Sequence, residues 1–279
     1  MNDQSNESFI GACLRKLDER AFYNDYRRTF SIVPADTDDL RRRVFRLRYL
    51  VYGVENHFLD PLKYPDELER DAFDDHAVHW LLLHRSTGET AGTIRVCLPH
   101  DDRPLVSFEL QKTCDHPLLQ IENRVLGMAE ISRFCMAPQF RRRLLDGHLL
   151  PSYYDQEEGG RFEGGRSLFR RRIPYAPLGL LQAAFETTIS HGIHNCMMTI
   201  ESSQLQSFQL LGLNGRIMGP SLPIQGEQQP VILNIKTVLE SMARADLACW
   251  EIVTDRGRLQ QQVDRLYSQS WNEPQGAGA

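Results

Sequence analysis

Several signals that would restrict the function of this chain are absent or weak. Its six cysteines include no C-x-x-C pair, so the sequence predicts free thiols in a reducing compartment rather than disulfides or a zinc site. The formal net charge of -5 gives no basic excess that would indicate a nucleic-acid partner. No apolar run approaches the roughly 20 residues of a membrane span, and the polar, acidic start of the chain does not resemble a signal peptide. We therefore expect a cytoplasmic protein with no transmembrane segment.

The composition that is present is that of a globular protein with a sizeable core. Hydrophobic residues make up 41% of the 279 residues and charged residues make up 25%, which is typical of folded domains. We divide the chain into an N-terminal arm with a short helix (1–29), a main domain (30–236), a C-terminal helix (237–271) and a disordered tail (272–279). The glycine- and arginine-rich residues 144–173 indicate a mobile insertion within the main domain.

The periodicity of apolar residues predicts a mixed α/β domain. Two strands at 79–84 and 91–98 enclose a Ser-Thr-Gly-Glu turn, which predicts a β-hairpin. Further along, strands at 125–136 and 195–200 enclose a helix at 174–191, which predicts two parallel neighbours joined by that helix. The predicted fold class is α/β (α+β), with a mixed central sheet flanked by helices and a C-terminal helical extension.

The stretch from Gly127 to Met136 carries two charges inside an apolar, strand-like sequence. Glu130 and Arg133 lie three residues apart, and charged side chains are almost never fully buried unless they are paired. Residues at i and i+3 of a strand point to opposite faces unless a bulge intervenes. The pattern therefore favours either a buried Glu–Arg ion pair without chemical function or a polar site shaped by a bulge.

Residues 53–75 form a long segment without clear helix or strand periodicity. The segment is rich in acids, among them Asp71 and Asp74, and it also contains five large apolar or aromatic residues between Phe58 and Leu68. Loops of this length are usually functional or disordered, and the apolar content argues against disorder. We interpret the segment as a packed active-site loop.

Four short motifs follow one another between residues 48 and 133. They are Arg48-Tyr-Leu-Val-Tyr52 followed by Phe58, the pair Asp71 and Asp74, Gly92-Thr-Ile-Arg95, and Glu130-Ile-Ser-Arg133. In this order they resemble the autoinducer-synthase branch of the GNAT acyltransferases, which comprises the acyl-homoserine-lactone synthases and the N-acyl amino acid synthases. The resemblance covers about residues 30–236. The Arg48-Tyr-x-x-Tyr52-x-x-Glu55 pattern and the basic insertion look most like the acyltransferases associated with PEP-CTERM/exosortase systems.

The resemblance implies a GNAT acyltransferase fold and transfer of a fatty acyl group from an acyl carrier protein thioester to an amine. It assigns roles at the reacting centre to six charged residues, namely Glu130, Arg133, Arg48, Asp71, Asp74 and Arg95. Tyr52 and Phe58 stand where the family has an aromatic residue and a tryptophan, and they are expected to bind substrate. For the charged residues, a structural ion-pair network is the alternative to a catalytic role, and such a network can also order an active-site loop.

The identity of the acyl donor is inferred from a segment that differs from the usual GNAT pattern. Acetyl-CoA-using GNATs usually carry glycines where a strand meets a helix, which let backbone N–H groups approach the pyrophosphate. The corresponding place here reads Gln139-Phe-Arg-Arg-Arg-Leu144, without glycine. This favours acyl carrier protein as the donor, with acyl-CoA as the alternative co-substrate and no bound cofactor. Acyl carrier protein is acidic, so its docking candidates are the basic residues Arg141, Arg142, Arg143, Arg170, Arg171 and Arg172.

Attack of an amine on a thioester requires a base, donors for the oxyanion and an apolar slot for the acyl chain. Glu130, acting directly or through water, is the candidate base, because partial burial raises the pKa of a carboxyl group. Splayed strands at 133–136 and 196–199 are the candidate source of backbone N–H donors. The candidate slot residues are Met128, Phe134, Met136, Met197 and Met198, and ordinary core packing is the alternative for the methionines.

Two further chemistries are less favoured by the sequence. His76 and His79 flank a strand start and are expected to point to opposite faces, so we predict no metal site. Cys135 would allow a covalent acyl-cysteine, but no histidine or basic residue is adjacent to it in sequence, which favours direct transfer.

Two alternative functions stay open at this point. One is an acyl-homoserine-lactone synthase that uses S-adenosylmethionine. The other is a catalytically silent GNAT-like module that binds an acyl chain or a partner protein, and the presence of Glu130 argues mildly against it.

Overall fold

The computed structural model describes residues 21–140, 176–224 and 226–272, with side chains to residue 268. The predicted short helix in the N-terminal arm falls largely outside these ranges, and residues 21–29 are helical. The predicted insertion at 144–173, the arginines proposed to dock acyl carrier protein and most of the predicted tail also lie outside the described residues.

The described part of the chain contains one mixed β-sheet. Its strands are β1 (Phe30–Pro34), β2 (Ala77–His84), β3 (Thr90–Cys97), β4 (Met128–Met136), β5 (Asn195–Glu201), β6 (Arg216–Ile217), β7 (Leu222–Pro223) and β8 (Glu227–Asn234). The order across the sheet is β1-β2-β3-β4-β5-β8-β6, and β7 also pairs with β8. Neighbours are antiparallel except β4 and β5, which are parallel. The predicted mixed sheet, hairpin and parallel pair are confirmed.

Helices flank the sheet and extend it at the C-terminus. They are α1 (21–29), α2 (Asp38–Arg48), α3 (Glu122–Val125), α4 (Leu178–Ser190), α5 (Leu205–Leu210), α6 (Ile235–Ala245), α7 (Leu247–Thr254) and α8 (Arg258–Asn272). A π-helical segment, Tyr49–Glu55, continues α2, and short 3₁₀-helices lie at Ala72–His76 and Glu109–Lys112. Helix α2 begins where the Thr37 side chain accepts a hydrogen bond from the Leu40 N–H at 3.3 Å, as its polar flank predicts.

Helices α2 and α4 cover opposite faces of the sheet. Trp80 donates a hydrogen bond to Thr187 of α4 at 2.8 Å, whereas the next residue, Leu81, clusters with Val44 of α2. Successive strand residues point to opposite faces, so the two helices sandwich β2. The main apolar core lies between the sheet and α4, where Leu180 and Phe185 are fully buried.

Two sequence-based boundaries were wrong. The strand expected to start at residue 125 starts at Met128, because residues 122–125 form the helical turn α3. The single C-terminal helix is three helices. One break falls at Gly257, with φ of +85°, and a second at Asp246, whose side chain accepts from the Cys249 N–H at 2.9 Å and so caps α7.

The helices of residues 21–140, 176–224 and 226–272 include none with the length and apolar character needed to cross a membrane.

Candidate active site

Strands β4 and β5 run side by side only near their starts. Three residue pairs join them, and the last is Glu130 with Met197. Both strands continue beyond this pair, β4 to Met136 and β5 to Glu201, while each stays paired with its other neighbour. We call this point of separation the fork. The predicted splaying is confirmed for 133–136 of β4 and for 198–199 of β5, whereas Cys196 and Met197 are still paired with β4. Glu130 lies where the strands begin to separate.

Glu130 is a buried carboxyl with few polar neighbours. Its side chain is 5% exposed, and its Oε2 accepts a hydrogen bond from the Leu110 N–H at 2.9 Å. Burial raises the pKa of Glu130 to about 7, although the Leu110 N–H, Arg95 and Arg133 favour the ionised form. A carboxyl group with a pKa near neutrality can accept a proton in one step and release it in the next.

A β-bulge brings Arg133 onto the face of β4 that carries Glu130. On β3, Thr93 lies opposite Cys135 and Arg95 lies opposite Ser132, so β4 contains one extra residue between these pairs. Arg133 has a left-handed backbone with φ of +49°, a conformation found in such bulges. The predicted bulge is therefore present. The alternative of a mutual Glu130–Arg133 ion pair is not observed, because Arg133 binds three other carboxylates.

Three arginines and four carboxylates form an arginine–carboxylate network beside the fork. The network consists of Arg48, Arg95, Arg133, Glu69, Asp71, Asp74 and Glu109. Its members come from α2, the loop after it, β3, β4 and the 3₁₀-helix Glu109–Lys112. The network thus ties the loop between Glu69 and Asp74 to the sheet.

Arg48 and Arg95 are the fully buried arginines of the network, and both are 0% exposed. Arg48 binds Asp74 through two hydrogen bonds of 2.8 and 3.1 Å and also pairs with Glu69. Arg95 binds Asp71 at 2.6 Å and Asp74 at 2.9 Å. Burial opposes ionisation of Asp74, yet Arg48 and Arg95 hold its pKa well below the usual range. Asp74 is therefore ionised at neutral pH.

Arg133 closes the network at its more exposed side. It donates to Glu69 at 3.1 Å, to Asp71 at 2.7 Å and to Glu109 at 2.9 Å. Asp71 is 25% and Glu109 37% exposed in the side chain. Solvent exposure therefore increases across the network, from the buried Arg48 and Arg95 to Asp71 and Glu109, which solvent or a polar substrate can reach.

The structure brings together five of the predicted charged residues, and it adds two that sequence reasoning did not single out. Those two are Glu69 and Glu109. Buried charges require partners, but the six predicted residues already balance three arginines against three acids, so their count gave no signal for further acids. The sequence offered several further acids nearby and no means of choosing among them.

The two aromatic candidates have different surroundings. The Tyr52 ring lies 5.9 Å from the Arg133 guanidinium carbon and packs against the main core. Burial raises the pKa of Tyr52 above its usual value, so its hydroxyl stays protonated. Phe58 is 46% exposed. Substrate binding by either residue stays a prediction.

The candidate slot residues divide between two apolar clusters. Met128 and Met197 belong to the cluster around Phe108. Met136 and Met198 belong to the main core, and Phe134 packs against it. The five side chains therefore do not line one shared slot. Met197 and Met198 are neighbours that point to opposite faces of the sheet, and the bulge in β4 moves Met136 to the face opposite Met128. A role for one of the two groups in holding an acyl chain stays a prediction.

The histidines point apart, as expected. His79 is 4% exposed, stacks edge-on against Phe45, and lies 3.6 Å from Asp74. Burial lowers the pKa of His79 to about 4, so the ring is neutral at physiological pH. His76 instead contacts the Ser107 carbonyl oxygen at 2.8 Å. Within the described ranges, no three His, Cys, Asp or Glu side chains are grouped to hold a metal ion.

Two cavities open on the surface away from Glu130. One, of about 270 Å³, is lined by Glu186, Ile189, Ser190, Gln262, Arg265 and Leu266. The other, of about 310 Å³, is lined by Lys63, Tyr64, Pro65, Asp66, Leu68 and Arg70. Neither contains Glu130 or an arginine of the network, so the fork and the network define the candidate site.

The burial of Glu130 predicts a pH-dependent cost in stability. Its pKa rises from 4.5 to about 7 on folding, so the unfolded chain ionises first and the wild type loses stability as pH rises through this interval. The shift corresponds to about 3 kcal/mol. We expect Glu130→Gln to gain that amount relative to wild type between pH 4 and pH 8 in urea unfolding. A difference that stays constant with pH would contradict an unusually high pKa at Glu130.

A family model described as "Acetyltransferase (GNAT) domain" matches residues 47–150. No curated protein matches the sequence significantly. Among solved structures, TofI in complex with an inhibitor and MTA has a TM-score of 0.52 at 18% identity, covering 79% of this chain and 99% of TofI. The AHL synthase LasI has a TM-score of 0.51 at 14% identity, covering 77% of this chain and 95% of LasI. FeeM, an N-acyl amino acid synthase from uncultured soil microbes, has a TM-score of 0.49 at 12% identity, covering 78% of this chain and 97% of FeeM.

TofI and LasI are similar to this chain over nearly their whole length. At identities this low, TofI and LasI establish a shared fold alone, and the family match adds the class of reaction. The chain has the GNAT acyltransferase fold, and its GNAT domain match supports an acyltransferase.

Proposed function

We propose that the protein is an N-acyltransferase that moves a fatty acyl group from an acyl carrier protein thioester to the amine of an amino acid or related metabolite. Glu130 acts as the base. The observation that carries the proposal is the position of this buried carboxyl at the fork, where two strands of a GNAT-type sheet separate. Such a carboxyl, with a pKa of about 7, is suited to proton transfer at neutral pH.

The proposed reaction is a direct aminolysis. Glu130, directly or through one water, accepts a proton from the acceptor amine as its nitrogen attacks the thioester carbon. A carbon–nitrogen bond forms, and the carbonyl oxygen becomes an oxyanion that backbone N–H groups beyond the fork can stabilise. The carbon–sulfur bond then breaks, and the thiol leaves with a proton returned by Glu130. No external oxidant or reductant is needed.

The arginine–carboxylate network gives the site its rigidity. Arg133 and Arg95 lie on the strands beside Glu130, and their carboxylate partners come from the loop and from the Glu109–Lys112 helix. We assign the network the role of holding the loop against the sheet while the acceptor binds. A preorganised polar site costs little reorganisation during the reaction.

The proposed acyl donor, cellular compartment and related acyltransferase systems are inferred from sequence features. The lack of glycine in Gln139-Phe-Arg-Arg-Arg-Leu144 favours acyl carrier protein over acyl-CoA. The arginines at 141–143 and 170–172 are the basic residues proposed to bind this acidic donor. We place the reaction in the cytoplasm. The Arg48-Tyr-x-x-Tyr52-x-x-Glu55 pattern supports a relationship to the acyltransferases of PEP-CTERM/exosortase systems.

Mass spectrometry of lipid extracts from cells that express wild type or Glu130→Gln tests this proposal. A new N-acyl species present only with wild type is the expected result, and its mass identifies both the acyl chain and the acceptor. A product that requires S-adenosylmethionine and contains a lactone would replace the proposal with the lactone-synthase alternative.

Purified protein completes the test. Wild type is incubated with fatty acyl groups on acyl carrier protein or on CoA, together with pooled amino acids. We expect faster transfer from acyl carrier protein. Failure of both donors with every acceptor, together with equal phenotypes for wild type and Glu130→Gln in the host, would point to a binding module.

A further inference from the structure

The carboxylate of Glu109 and the backbone of the next residue face two different parts of the site. Oε2 of Glu109 accepts from Arg133 at 2.9 Å and from Arg95 at 3.3 Å. The N–H of Leu110 donates to Oε2 of Glu130 at 2.9 Å. A single short 3₁₀-helix, Glu109–Lys112, therefore links the arginine–carboxylate network to the candidate base.

The contacts between the 3₁₀-helix and the strands β3 and β4 form a closed path. Glu130 and Arg133 lie on the same strand, and Arg95 on the adjacent strand donates to Ser132 at 2.9 Å. From these strands the path runs through the two guanidinium groups to Glu109, then through the backbone to Leu110 and back to Glu130. A closed path of this kind fixes each member relative to the others, because no hydrogen bond can lengthen without disturbing the next.

The rest of the segment is held independently of Glu109. Leu110 is 3% exposed and packs in the cluster that contains Met128. The Phe108 N–H donates to the Gln111 side chain at 2.9 Å, and that side chain donates to the Pro104 and Leu119 carbonyl oxygens at 3.2 and 3.1 Å. Removal of the Glu109 carboxylate should therefore release its own contacts without unfolding the segment.

We propose that Glu109 is a positioning residue for Glu130: it anchors the 3₁₀-helix to Arg95 and Arg133, so that the Leu110 N–H holds one carboxylate oxygen of Glu130 in place. The other oxygen of Glu130 is then oriented for proton transfer. This inference rests on the proposed function only in calling Glu130 the base, because the anchoring itself is a property of the fold.

Glu109 also acts on Glu130 through its charge. The ionisable groups that face Glu130 are Arg95 and Cys97 on β3, Arg133 on β4, and Glu109 on the 3₁₀-helix. Of these, Glu109 disfavours the ionised carboxylate, while the two arginines favour it. Loss of the Glu109 charge would leave both arginines less neutralised, and both effects lower the pKa of Glu130.

Three variants separate position from charge. Glu109→Gln removes the charge and weakens the anchor. Glu109→Asp keeps the charge but shortens the reach to the two arginines. Glu122→Gln is the matched control, because Glu122 is an exposed carboxylate in the same connection between β3 and β4. Thermal unfolding verifies that each variant is folded.

Two measurements that do not depend on activity test the inference. One is the ¹³C NMR titration of the Glu130 carboxyl, assigned with Glu130→Gln, and the other is hydrogen exchange of the Leu110 amide. We expect Glu109→Gln to speed Leu110 exchange about tenfold or more. Its effect on the pKa of Glu130 is the sum of a lost charge, which lowers the pKa, and a weakened Leu110 N–H hydrogen bond, which raises it. Glu109→Asp keeps the charge, so it should speed exchange and raise the pKa of Glu130, whereas Glu122→Gln should alter neither.

The outcomes keep this inference separate from the proposed function. A wild-type rate of Leu110 exchange in a folded Glu109→Gln protein would overturn the positioning role, whether or not acyl transfer is observed. The expected NMR changes in a protein without transferase activity would retain the positioning role and remove only the proposed reaction. Where activity is present, the acid limb of its pH profile should shift with the titration.

Discussion

Glu130→Gln is expected to slow acyl transfer by about 10²–10⁴-fold, which is the usual contribution of a positioned general base. Glutamine preserves the shape of the side chain and can still accept the Leu110 N–H, but it cannot take a proton from the amine. Because Glu130 has a pKa of about 7, wild-type kcat/KM should rise about tenfold per unit of pH below that value and level off above it.

The measurement is a steady-state pH profile between pH 5 and pH 9 with a fatty acyl thioester and the acceptor identified from the lipid extracts. The Glu130→Gln profile should lack the limb near pH 7. Glu122→Gln, an exposed carboxylate control, should match wild type in both rate and profile. A Glu130→Gln enzyme with an unaltered rate would exclude this residue as the base and leave the network or a covalent route through Cys135 to be tested.

Arg95→Met is expected to lower the free energy of unfolding by about 3–5 kcal/mol, the usual cost of breaking a buried charge network. Arg95 is 0% exposed and contacts Asp71, Asp74 and Glu109. Methionine fills much of the same volume but leaves these three carboxylates without a shared cation. Their mutual repulsion, rather than a cavity, accounts for most of the expected loss.

Urea unfolding at pH 7 measures this effect against Arg70→Met. Arg70 pairs with Asp66 at 2.6 Å, but its side chain is 58% exposed, so that substitution should cost less than about 1 kcal/mol. An equal fall in the free energy of unfolding of the two variants would contradict a large contribution of the network to stability. The depressed pKa of Asp74 implies that its stabilising contribution is complete above its unfolded value of 3.8 and is lost as pH falls below it.

A glycine in one of the sequence motifs has a packing explanation. A Cβ on Gly92 would lie 2.5 Å from the Met136 sulfur and 2.9 Å from a Leu180 methyl carbon. Gly92 therefore lets β3, β4 and α4 approach closely, and Arg95, three residues on, projects into the network on the other face. In this motif Gly92 serves close packing and Arg95 serves the arginine–carboxylate network, and the spacing of the two residues alone does not reveal these separate roles.

The sequence by itself determined the elements whose cause is local. Apolar periodicity identified the hairpin of β2 and β3 and the parallel pair joined by α4, because each pattern repeats with the period of its own element. Charges inside an apolar strand identified Glu130 and Arg133, since such charges require partners wherever the strand packs. The break at Asp246 was also encoded locally, by a capping aspartate, and was overlooked.

Only the tertiary structure decided which partners those charges take. Glu69 and Glu109 resemble other acids in the sequence, and their selection depends on where two separate connections lie against β3 and β4. The division of the five candidate slot residues between two clusters follows from the sheet's two faces, which the residue types do not specify. The pKa of Glu130 likewise depends on burial at the fork and on the Leu110 N–H, contacts that span segments far apart in the chain.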